Sequence, residues 1–283
     1  MRVAVVGCGT GGPAAALLLA ATGHDVEILE RVTTPSPVGA GLLLQPTGQA
    51  VLARLGLLSE LEQRSARVEH LHGETADGRV VMDMAYGDLA PGLHGLGVHR
   101  GVLFGALHSA LTRAKIPVHL GTEVTGVSDG RVLTTDGPRG PYDLIIAADG
   151  ARSGLRPAAL VRRARRYPWG ALWVIVDDPE ERHGGTLAQV YPGTREMLGF
   201  LASGRPAGTP QVSLFWSVPV DRLAGIQNLD AWKADVRRLT GRADHLLDQV
   251  TEPGRLLPAV YEDVVMRRLH AGGSSSSATP GTR

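Results

Sequence analysis

The sequence predicts an α/β protein in which a parallel sheet with helices is joined to a mainly antiparallel sheet. Three observations predict this fold class. The chain opens with an apolar strand, a glycine-rich loop, a helix and a second apolar strand within residues 1–31, and another strand of the buried type follows at 142–148. Strands whose apolar residues alternate are predicted at 67–71 and 79–84, and further strand candidates follow between 167 and 219. Fully apolar strands are typical of buried parallel sheets, and alternating strands of antiparallel sheets with one solvated face.

The first thirty residues form a unit that is typical of dinucleotide binding. A strand at 2–6 leads into the loop Gly7-Cys8-Gly9-Thr10-Gly11-Gly12, and a helix at 14–22 leads to a strand at 26–29. In such a loop the first glycine permits the tight turn, the second lets the backbone approach a pyrophosphate, and the third lets helix and strand pack closely. The free N–H groups and the dipole of the helix N-terminus then favour a diphosphate.

Glu30 ends the second strand about twenty residues after the loop, where a carboxylate can accept hydrogen bonds from ribose hydroxyls. The negative charge of Glu30 would repel the 2′-phosphate of NADP, so the dinucleotide expected at this loop is NAD or FAD. An ordinary glycine turn is the alternative for the loop, but strand, loop, helix, strand and acid occur in the right order. A signal peptide is rejected because the loop glycines interrupt the apolar run.

Size and charge restrict the class of protein. The 283 residues are enough for one large or two smaller domains, and the net charge of +1 gives no indication of nucleic acid or an anionic membrane. No apolar run is long enough to span a bilayer. Cys8 is the single cysteine, which excludes a disulfide framework, and we expect it to pack in the loop rather than act as a nucleophile. We therefore expect a cytoplasmic monomer or homodimer that acts on a small molecule, without nucleic acid or membrane partners.

The segment between residues 39 and 114 contains two further candidate binding sites and a predicted hairpin. Gly39-Ala40-Gly41 comes before an apolar strand, and Pro46 opens a helix through residue 55, which indicates a second close approach of the backbone, with a plain connection as the alternative. Residues 67–71 and 79–84 are predicted to form a hairpin closed at Asp77-Gly78. Arg100 opens a helix at 102–114, where it could clamp phosphates or simply lie on the surface.

The second half of the chain is predicted to be mostly strands. Short strands are expected at 117–120, 123–127 and 131–135, and the apolar strand at 142–148 ends in Asp149-Gly150. Further strands are expected at 167–176, 186–191, 197–202, 212–219 and 256–265, and helices at 229–239 and 243–250. The run Arg162–Arg166 is interpreted as a solvated face or a linker, with an anion-binding role as the alternative.

Several motifs occur together in one order: the glycine loop with Glu30-Arg31, Gly39-Ala40-Gly41 with Pro46, Arg100 with Leu103 and Leu107, and Asp149-Gly150-x-x-Ser153-x-x-Arg156. Together they resemble class A flavin-dependent aromatic hydroxylases, the relatives of salicylate and para-hydroxybenzoate hydroxylase, specifically over residues 1–160 and more loosely to about residue 270.

The resemblance implies an FAD-dependent monooxygenase that uses NAD(P)H and O2 to hydroxylate an aromatic or similarly electron-rich small molecule. By this resemblance Glu30 holds the FAD ribose, Arg31 lies beside the adenine, Arg100 contacts the phosphate–ribityl region, and the Asp149-Gly150 turn serves FAD and NAD(P)H. The residues expected to bind the cofactor are Gly7, Gly9, Thr10, Gly11, Gly12, Glu30, Arg31, Gly41, Arg100, Val124, Asp149, Gly150 and Arg156. No metal is expected.

No side chain is identified as the catalytic base, because His99, His119 and His183 are three of ten histidines and each is more readily structural. The strand aromatics Trp169, Trp173, Phe200, Phe215 and Trp216 could line an aromatic-substrate pocket, although core packing is favoured for each. Another FAD-dependent oxidoreductase and a non-catalytic truncated product are the alternative functions.

Domain boundaries follow from the same motifs. An incomplete, discontinuous FAD-binding domain is expected at 1–66, 97–165 and 258–272, and a substrate domain at 67–96 and 166–257. In the resembled family a third motif, Gly-Asp-Ala-Ala/Gly-His, follows a buried strand, whereas residues 273–283 are rich in Ser, Gly and Thr.

A flexible low-complexity tail is one interpretation of residues 273–283. Reading their possible codons one base earlier forces an apolar residue at each position of Ser274–Ser277 and permits Gly-Asp-Ala-Gly-His afterwards. We therefore expect a one-base frameshift after Gly272, and a chain as written that binds FAD weakly or not at all.

Overall fold

The structure is a computed structural model that describes residues 1–36, 40–223 and 228–271. Gly39 and the tail at 273–283 lie outside the described residues, so the frameshift hypothesis stays a prediction. The chain divides into two compact units. Unit 1 comprises Met1–Pro35, Ala114–Arg166 and Glu262–Arg283, and unit 2 comprises Ser36–Arg113 and Tyr167–Tyr261.

The elements are named in chain order. The strands are β1 Arg2–Val6, β2 Asp25–Leu29, β3 Gly41–Leu44, β4 Ala66–Thr75, β5 Val80–Ala85, β6 Gly95–His99, β7 Val118–His119, β8 Val124–Ser128, β9 Arg131–Thr134, β10 Gly137–Arg139, β11 Leu144–Ala147, β12 Val161–Asp177, β13 Gly185–Tyr191, β14 Met197–Ala202, β15 Gln211–Pro219 and β16 Leu257–Met266. The helices are α1 Gly11–Ala21, α2 Pro46–Arg54, α3 Leu58–Glu62, α4 Arg100–Arg113, α5 Val220–Leu223, α6 Leu229–Leu239 and α7 Asp244–Leu247.

Unit 1 contains the parallel sheet that the sequence predicts. Its strand order is β11-β1-β2-β7, and each neighbouring pair is parallel. The central strand β1 is buried at residues 3–6, which explains its continuous apolar sequence. In a small antiparallel sheet, β10-β9-β8, Val132 of β9 packs against Ala4, Val6 and Leu29, and Tyr142, between β10 and β11, joins the same apolar cluster.

Unit 2 contains most of a large curled sheet of order β16-β12-β15-β14-β13-β4-β6-β3, with β5 paired to β4. Most pairs are antiparallel, as expected, while β13 and β4 are parallel. One face of the sheet packs against α6 and α7 in a core that contains Phe200, Trp216 and Trp232. The other face carries a second apolar cluster around Val68, Leu201 and Phe215.

The two periodicities in the sequence locate most elements. The hairpin of β4 and β5 forms with Gly78 in its turn at φ +86°, and α4 buries its leucine face, Leu103, Leu107 and Leu111. Both predictions are confirmed. The helix predicted at 243–250 is wrong beyond a single turn, because only Asp244–Leu247 is helical.

The arginine run is a strand rather than a linker. Residues 162–166 form the exposed beginning of β12, so the solvated-face interpretation is confirmed and the linker interpretation is wrong. Arg163 and Arg165 both bind the Asp263 carboxylate, at 3.0 and 3.1 Å. These guanidinium groups hold the pKa of Asp263 below its usual value.

No helix in the described part of the chain has the length and hydropathy needed to cross a bilayer.

Candidate cofactor site

The glycine loop joins β1 to α1, and its glycines are required for different reasons. Gly7 has φ +103°, and a Cβ there would lie 2.4 Å from the Ala148 carbonyl oxygen. A Cβ on Gly12 would lie 1.9 Å from the Gly7 carbonyl oxygen. A Cβ on Gly9 would meet no described atom within 4 Å. The first and third glycines are therefore demanded by the protein itself, and Gly9 leaves space beside the loop.

Parallel pairing brings the sequence motifs of unit 1 to one edge of the sheet. Gly7 N–H donates to the Leu29 carbonyl and Ala148 N–H to the Val6 carbonyl, each at 2.8 Å. The carboxyl ends of β1, β2 and β11 consequently lie together, with the glycine loop, Glu30 and Asp149 after them. Ligands of open α/β sheets bind outside this edge.

Glu30 is anchored to the loop backbone. Its Oε2 accepts from Cys8 N–H at 2.7 Å and its Oε1 from Val32 N–H at 2.9 Å. Each carboxylate oxygen keeps a further lone pair with which it can accept from a hydroxyl. The Thr10 side chain, just before α1, makes no capping bond, so the Gly11 and Gly12 amides of the first turn are not used by it.

Cys8 packs in the loop. It is buried, and burial together with the neighbouring Glu30 carboxylate raises the pKa of its thiol to about 11. A thiol with such a pKa is a poor nucleophile at neutral pH.

Arg156 organises the turn after β11. Its Nη2 donates to the carbonyl oxygens of Gly150 and Ala151 at 2.7 and 2.8 Å. Gly150 has φ +90°, a conformation that glycine adopts without strain. Asp149 Oδ1 is buried with no hydrogen-bond partner in the described part of the chain. The turn is thus held by its own arginine, and one carboxylate oxygen remains for a ligand or water.

The remaining expected residues of unit 1 differ in their surroundings. Val124 begins β8, is partly buried and packs against the apolar core of the unit. Arg31 is exposed. His119 Nε2, in β7, lies 2.8 Å from Oε2 of Glu27 in β2.

In unit 2 the pairing of β3 with β6 brings two expected residues together. Gly41 is opposite His99, and the exposed Arg100 follows directly as the first residue of α4. His99 Nδ1 accepts from Gly101 N–H at 3.0 Å. Burial, with a contribution from Arg64, lowers the pKa of His99, so its imidazole is neutral at physiological pH.

Sequence reasoning missed two serines beneath Gly41. Gly41 N–H donates to Ser213 Oγ at 2.8 Å, and Ser213 Oγ lies 2.7 Å from Ser203 Oγ. A Cβ on Gly41 would lie 2.1 Å from Ser203 Oγ and 2.3 Å from Ser213 Oγ. No local sequence signal pairs residues so far apart along the chain.

The strand aromatics separate into two groups. Phe200 and Trp216 belong to the core under α6, as core packing predicts. Trp173 and Phe215 lie on the opposite face, stacked with ring centroids 4.8 Å apart. A Cβ on Gly199 would lie 2.1 Å from the Phe215 ring, so this glycine allows the ring to lie flat over the sheet.

The edge of unit 1 fits the diphosphate and ribose of a dinucleotide. It offers free space at Gly9, uncapped amides at the start of α1, the anchored Glu30 carboxylate and a buried, unpartnered oxygen on Asp149. Backbone amides at a helix N-terminus are suited to phosphate. The described residues contain no group of three or more His, Cys, Asp or Glu side chains that could hold a metal.

These features define a dinucleotide-binding α/β protein. The chain belongs to the FAD binding domain family, whose model matches residues 1–272. The cofactor of this family is FAD.

Relatives with similar sequences have monooxygenase and hydroxylase names. The chain is 35% identical to 3-amino-4-hydroxybenzoate 2-monooxygenase of Streptomyces cremeus, over 72% of this chain and 52% of that protein. It is 28% identical to 6-hydroxynicotinate 3-monooxygenase of Pseudomonas fluorescens, over 78% of this chain and 60% of the relative. It is 30% identical to an FAD-dependent urate hydroxylase of Klebsiella pneumoniae, over 84% and 62%. The chain thus spans between half and two thirds of the length of these relatives.

Solved structures share the fold. One is a tetrameric form of 2-methyl-3-hydroxypyridine-5-carboxylic acid oxygenase, with a TM-score of 0.78, 21% identity, and coverage of 94% of this chain and 71% of that one. Another is a Klebsiella pneumoniae HpxO variant complexed with FAD, with a TM-score of 0.73, 23% identity, and coverage of 93% and 70%.

Proposed function

We propose that the protein is an FAD-dependent monooxygenase that hydroxylates an aromatic or similarly electron-rich small molecule with NAD(P)H and O2. The observation that carries this proposal is the FAD binding domain match over residues 1–272, on a chain whose glycine loop and Glu30 have the required geometry. The names of the relatives support the reaction class, since three of them act on hydroxylated benzoate, hydroxypyridine or purine rings.

The unit 1 residues are proposed to bind the ADP portion of FAD. The backbone of Gly9, Thr10, Gly11 and Gly12 would donate to the diphosphate, because Gly9 leaves open space and the start of α1 carries the positive end of a helix dipole. Glu30 would accept from the ribose hydroxyls and Arg31 would lie by the adenine.

Other residues are proposed to contact the cofactor or to support those that do. Asp149 and Gly150 remain proposed cofactor contacts, with Arg156 holding their turn. Gly7 and Val124 would shape the site through packing. Gly41 and Arg100 are proposed contacts in unit 2.

The stacked pair Trp173 and Phe215 is proposed as an apolar wall for an aromatic ring. Aromatic faces attract one another in stacked or tilted arrangements and exclude water. Gln189 and Tyr191 lie on the same face of β13 as Leu187, which packs with this cluster, and the Tyr191 hydroxyl donates to Gln189 Oε1 at 3.0 Å. This places polar groups beside an apolar wall, which suits a ring that carries hydroxyl or carboxylate substituents.

The cofactor supplies the hydride and oxygen chemistry when it is bound. The residues of the chain bind and orient FAD and substrate and keep water away from the substrate ring. No histidine is assigned as the proton acceptor: His119 lies 2.8 Å from Glu27, and buried His183 stacks on Phe200.

The proposal is tested by supplying FAD and NADH or NADPH to the purified protein together with a panel of hydroxybenzoates, aminohydroxybenzoates and hydroxypyridine carboxylates. We expect one member to stimulate NAD(P)H oxidation and to gain one atom of oxygen from 18O2, measured by mass spectrometry. Trp173→Ala should abolish the stimulation, whereas Trp169→Ala should have little effect because Trp169 donates to the Arg195 carbonyl outside the stacked pair.

The outcome also separates the alternatives. NAD(P)H oxidation without incorporation of oxygen into any ring would indicate an FAD-dependent oxidase or reductase. Failure to bind FAD, which the frameshift hypothesis also allows, would indicate a non-catalytic product and would contradict the proposal for this chain.

A further inference from the structure

The buried hydroxyls of Ser213 and Ser203 form a directed chain of hydrogen bonds. Ser203 Oγ donates to the Leu201 carbonyl at 3.0 Å, which uses its one proton. The arrangement that satisfies both hydroxyls therefore has Ser213 donating to Ser203 across their 2.7 Å separation and accepting from Gly41 N–H at 2.8 Å. The run from Gly41 N–H to the Leu201 carbonyl is fully satisfied, and both serines are 0% exposed.

The chain of hydroxyls fixes one end of β3. The Gly41 amide approaches so closely that any side chain at this position would collide with Ser203 and Ser213. Gly41 is paired with His99, the last residue of β6, and Arg100 follows as the first residue of α4. The hydrogen bonds of Gly41 and the two serines therefore fix the corner formed by the start of β3 and the junction of β6 with α4. A buried amide without an acceptor is costly, so the corner depends on Ser213.

We propose that Ser213, supported by Ser203, is a positioning residue that holds the Gly41 backbone in the conformation needed for cofactor binding. This inference rests on the proposed function, in which Gly41 and Arg100 contact the cofactor. Neither serine needs to touch the cofactor. Ser213 acts through the Gly41 amide, and Ser203 acts through Ser213 by accepting its hydrogen bond.

The first test needs no cofactor. Amide hydrogen exchange should show Gly41 N–H strongly protected in the wild type, and Ser213→Ala should increase its exchange rate by roughly ten- to a hundredfold. Ser203→Ala should have a smaller effect, because Gly41 keeps its acceptor. Ser217→Ala is the matched control: it lies on the same face of β15 but donates to Gly170 O at 3.2 Å, away from β3. In Ser217→Ala the exchange rate of Gly41 N–H should equal that in the wild type.

The second test measures cofactor affinity. Ser213→Ala should weaken FAD binding by about tenfold and leave ADP binding unchanged, because the proposed contacts of ADP lie in unit 1. Ser217→Ala should change neither. Ser213→Thr, which keeps the hydroxyl, should restore both Gly41 protection and FAD affinity.

The outcomes separate this inference from the proposed function. Absence of FAD binding by the wild type would overturn both. Wild-type FAD binding with unchanged Gly41 exchange in Ser213→Ala, or with equal losses of FAD and ADP affinity, would overturn the positioning role alone.

Discussion

Gly9 and Gly12 lie three positions apart in one loop, and the structure gives them opposite tolerance to a side chain. Gly12→Ala would place a methyl group 1.9 Å from the Gly7 carbonyl oxygen and should destabilise the fold by about 3 kcal/mol, as overpacking of a helix against a strand does. Gly9→Ala meets no atom within 4 Å and should change the free energy of unfolding by less than about 0.5 kcal/mol. Urea unfolding of both variants measures the contrast. Equal destabilisation would mean that the space beside Gly9 is not available to a ligand.

Cys8 reports on the same loop. Because the pKa of its thiol is raised to about 11 and the side chain is buried, about one thiol in a thousand is a thiolate at pH 8. Reaction with a chromogenic disulfide should therefore be slow in the native protein and fast in denaturant. Rapid native labelling would show that the loop opens or that the Glu30 contact with the Cys8 amide is not maintained.

At the scale of elements, the segment 178–184 and α7 meet in a buried cluster. The rings of His183 and His245 are parallel with centroids 5.5 Å apart, and the backbone N–H of His183 donates to Asp178 Oδ2 at 3.1 Å. Burial lowers the pKa of His183; Asp178 and a hydrogen bond with the Arg242 backbone oppose this shift, whereas His245 and the Arg242 charge add to it. The imidazole is therefore neutral in the folded state at a pH where it is protonated in the unfolded chain.

This linkage predicts the sign of a pH effect. The unfolded chain binds more protons below the ordinary histidine pKa of 6.5, so the stability that neutral His183 contributes is present above pH 6.5 and is lost as the pH falls towards its lowered folded-state pKa. The slope for this one group is at most about 1.4 kcal/mol per pH unit. His183→Asn should flatten the fall in the free energy of unfolding below pH 6.5, with the slope from His99 remaining. Exposed His270→Asn is the control, and equal slopes in all three proteins would contradict the prediction.

Elements with a strong local pattern were predictable from the sequence. The strand–loop–helix–strand unit at 1–31, the β4–β5 hairpin and the leucine face of α4 follow from periodicity and turn residues, and each is present. β6 was missed because Gly95 and Gly97 obscure its pattern; Gly97 is required because a Cβ would lie 1.8 Å from the Ala202 carbonyl oxygen. The arginine run is the start of strand β12, and Asp263 binds its alternate residues Arg163 and Arg165, a contact that no local pattern shows.

The candidate site also has features that could be predicted from the sequence and features that could not. The roles of Gly7 and Gly12 were readable because their steric requirements come from neighbours within a recognised motif. The Ser203–Ser213 pair beneath Gly41 depends on contacts across 172 positions of sequence, between Gly41 and Ser213, and could not be read. Arg156 was expected at the cofactor, yet its side chain is seen holding the Gly150 turn; whether the cofactor also meets it stays a prediction.

At the scale of the whole molecule, the account depends on FAD binding through the glycine loop and Glu30. The chain belongs to the FAD binding domain family but spans only part of the length of its relatives. The most direct measurement is a fluorescence titration of the purified protein with FAD, repeated with ADP as competitor and with Gly9→Val, whose side chain would enter the open space beside the loop.

The account predicts saturable one-to-one binding, weak in this chain, that ADP displaces and that Gly9→Val weakens by at least about tenfold without loss of stability. Absence of saturable binding, or FAD affinity that is the same in the wild type and Gly9→Val, would contradict it.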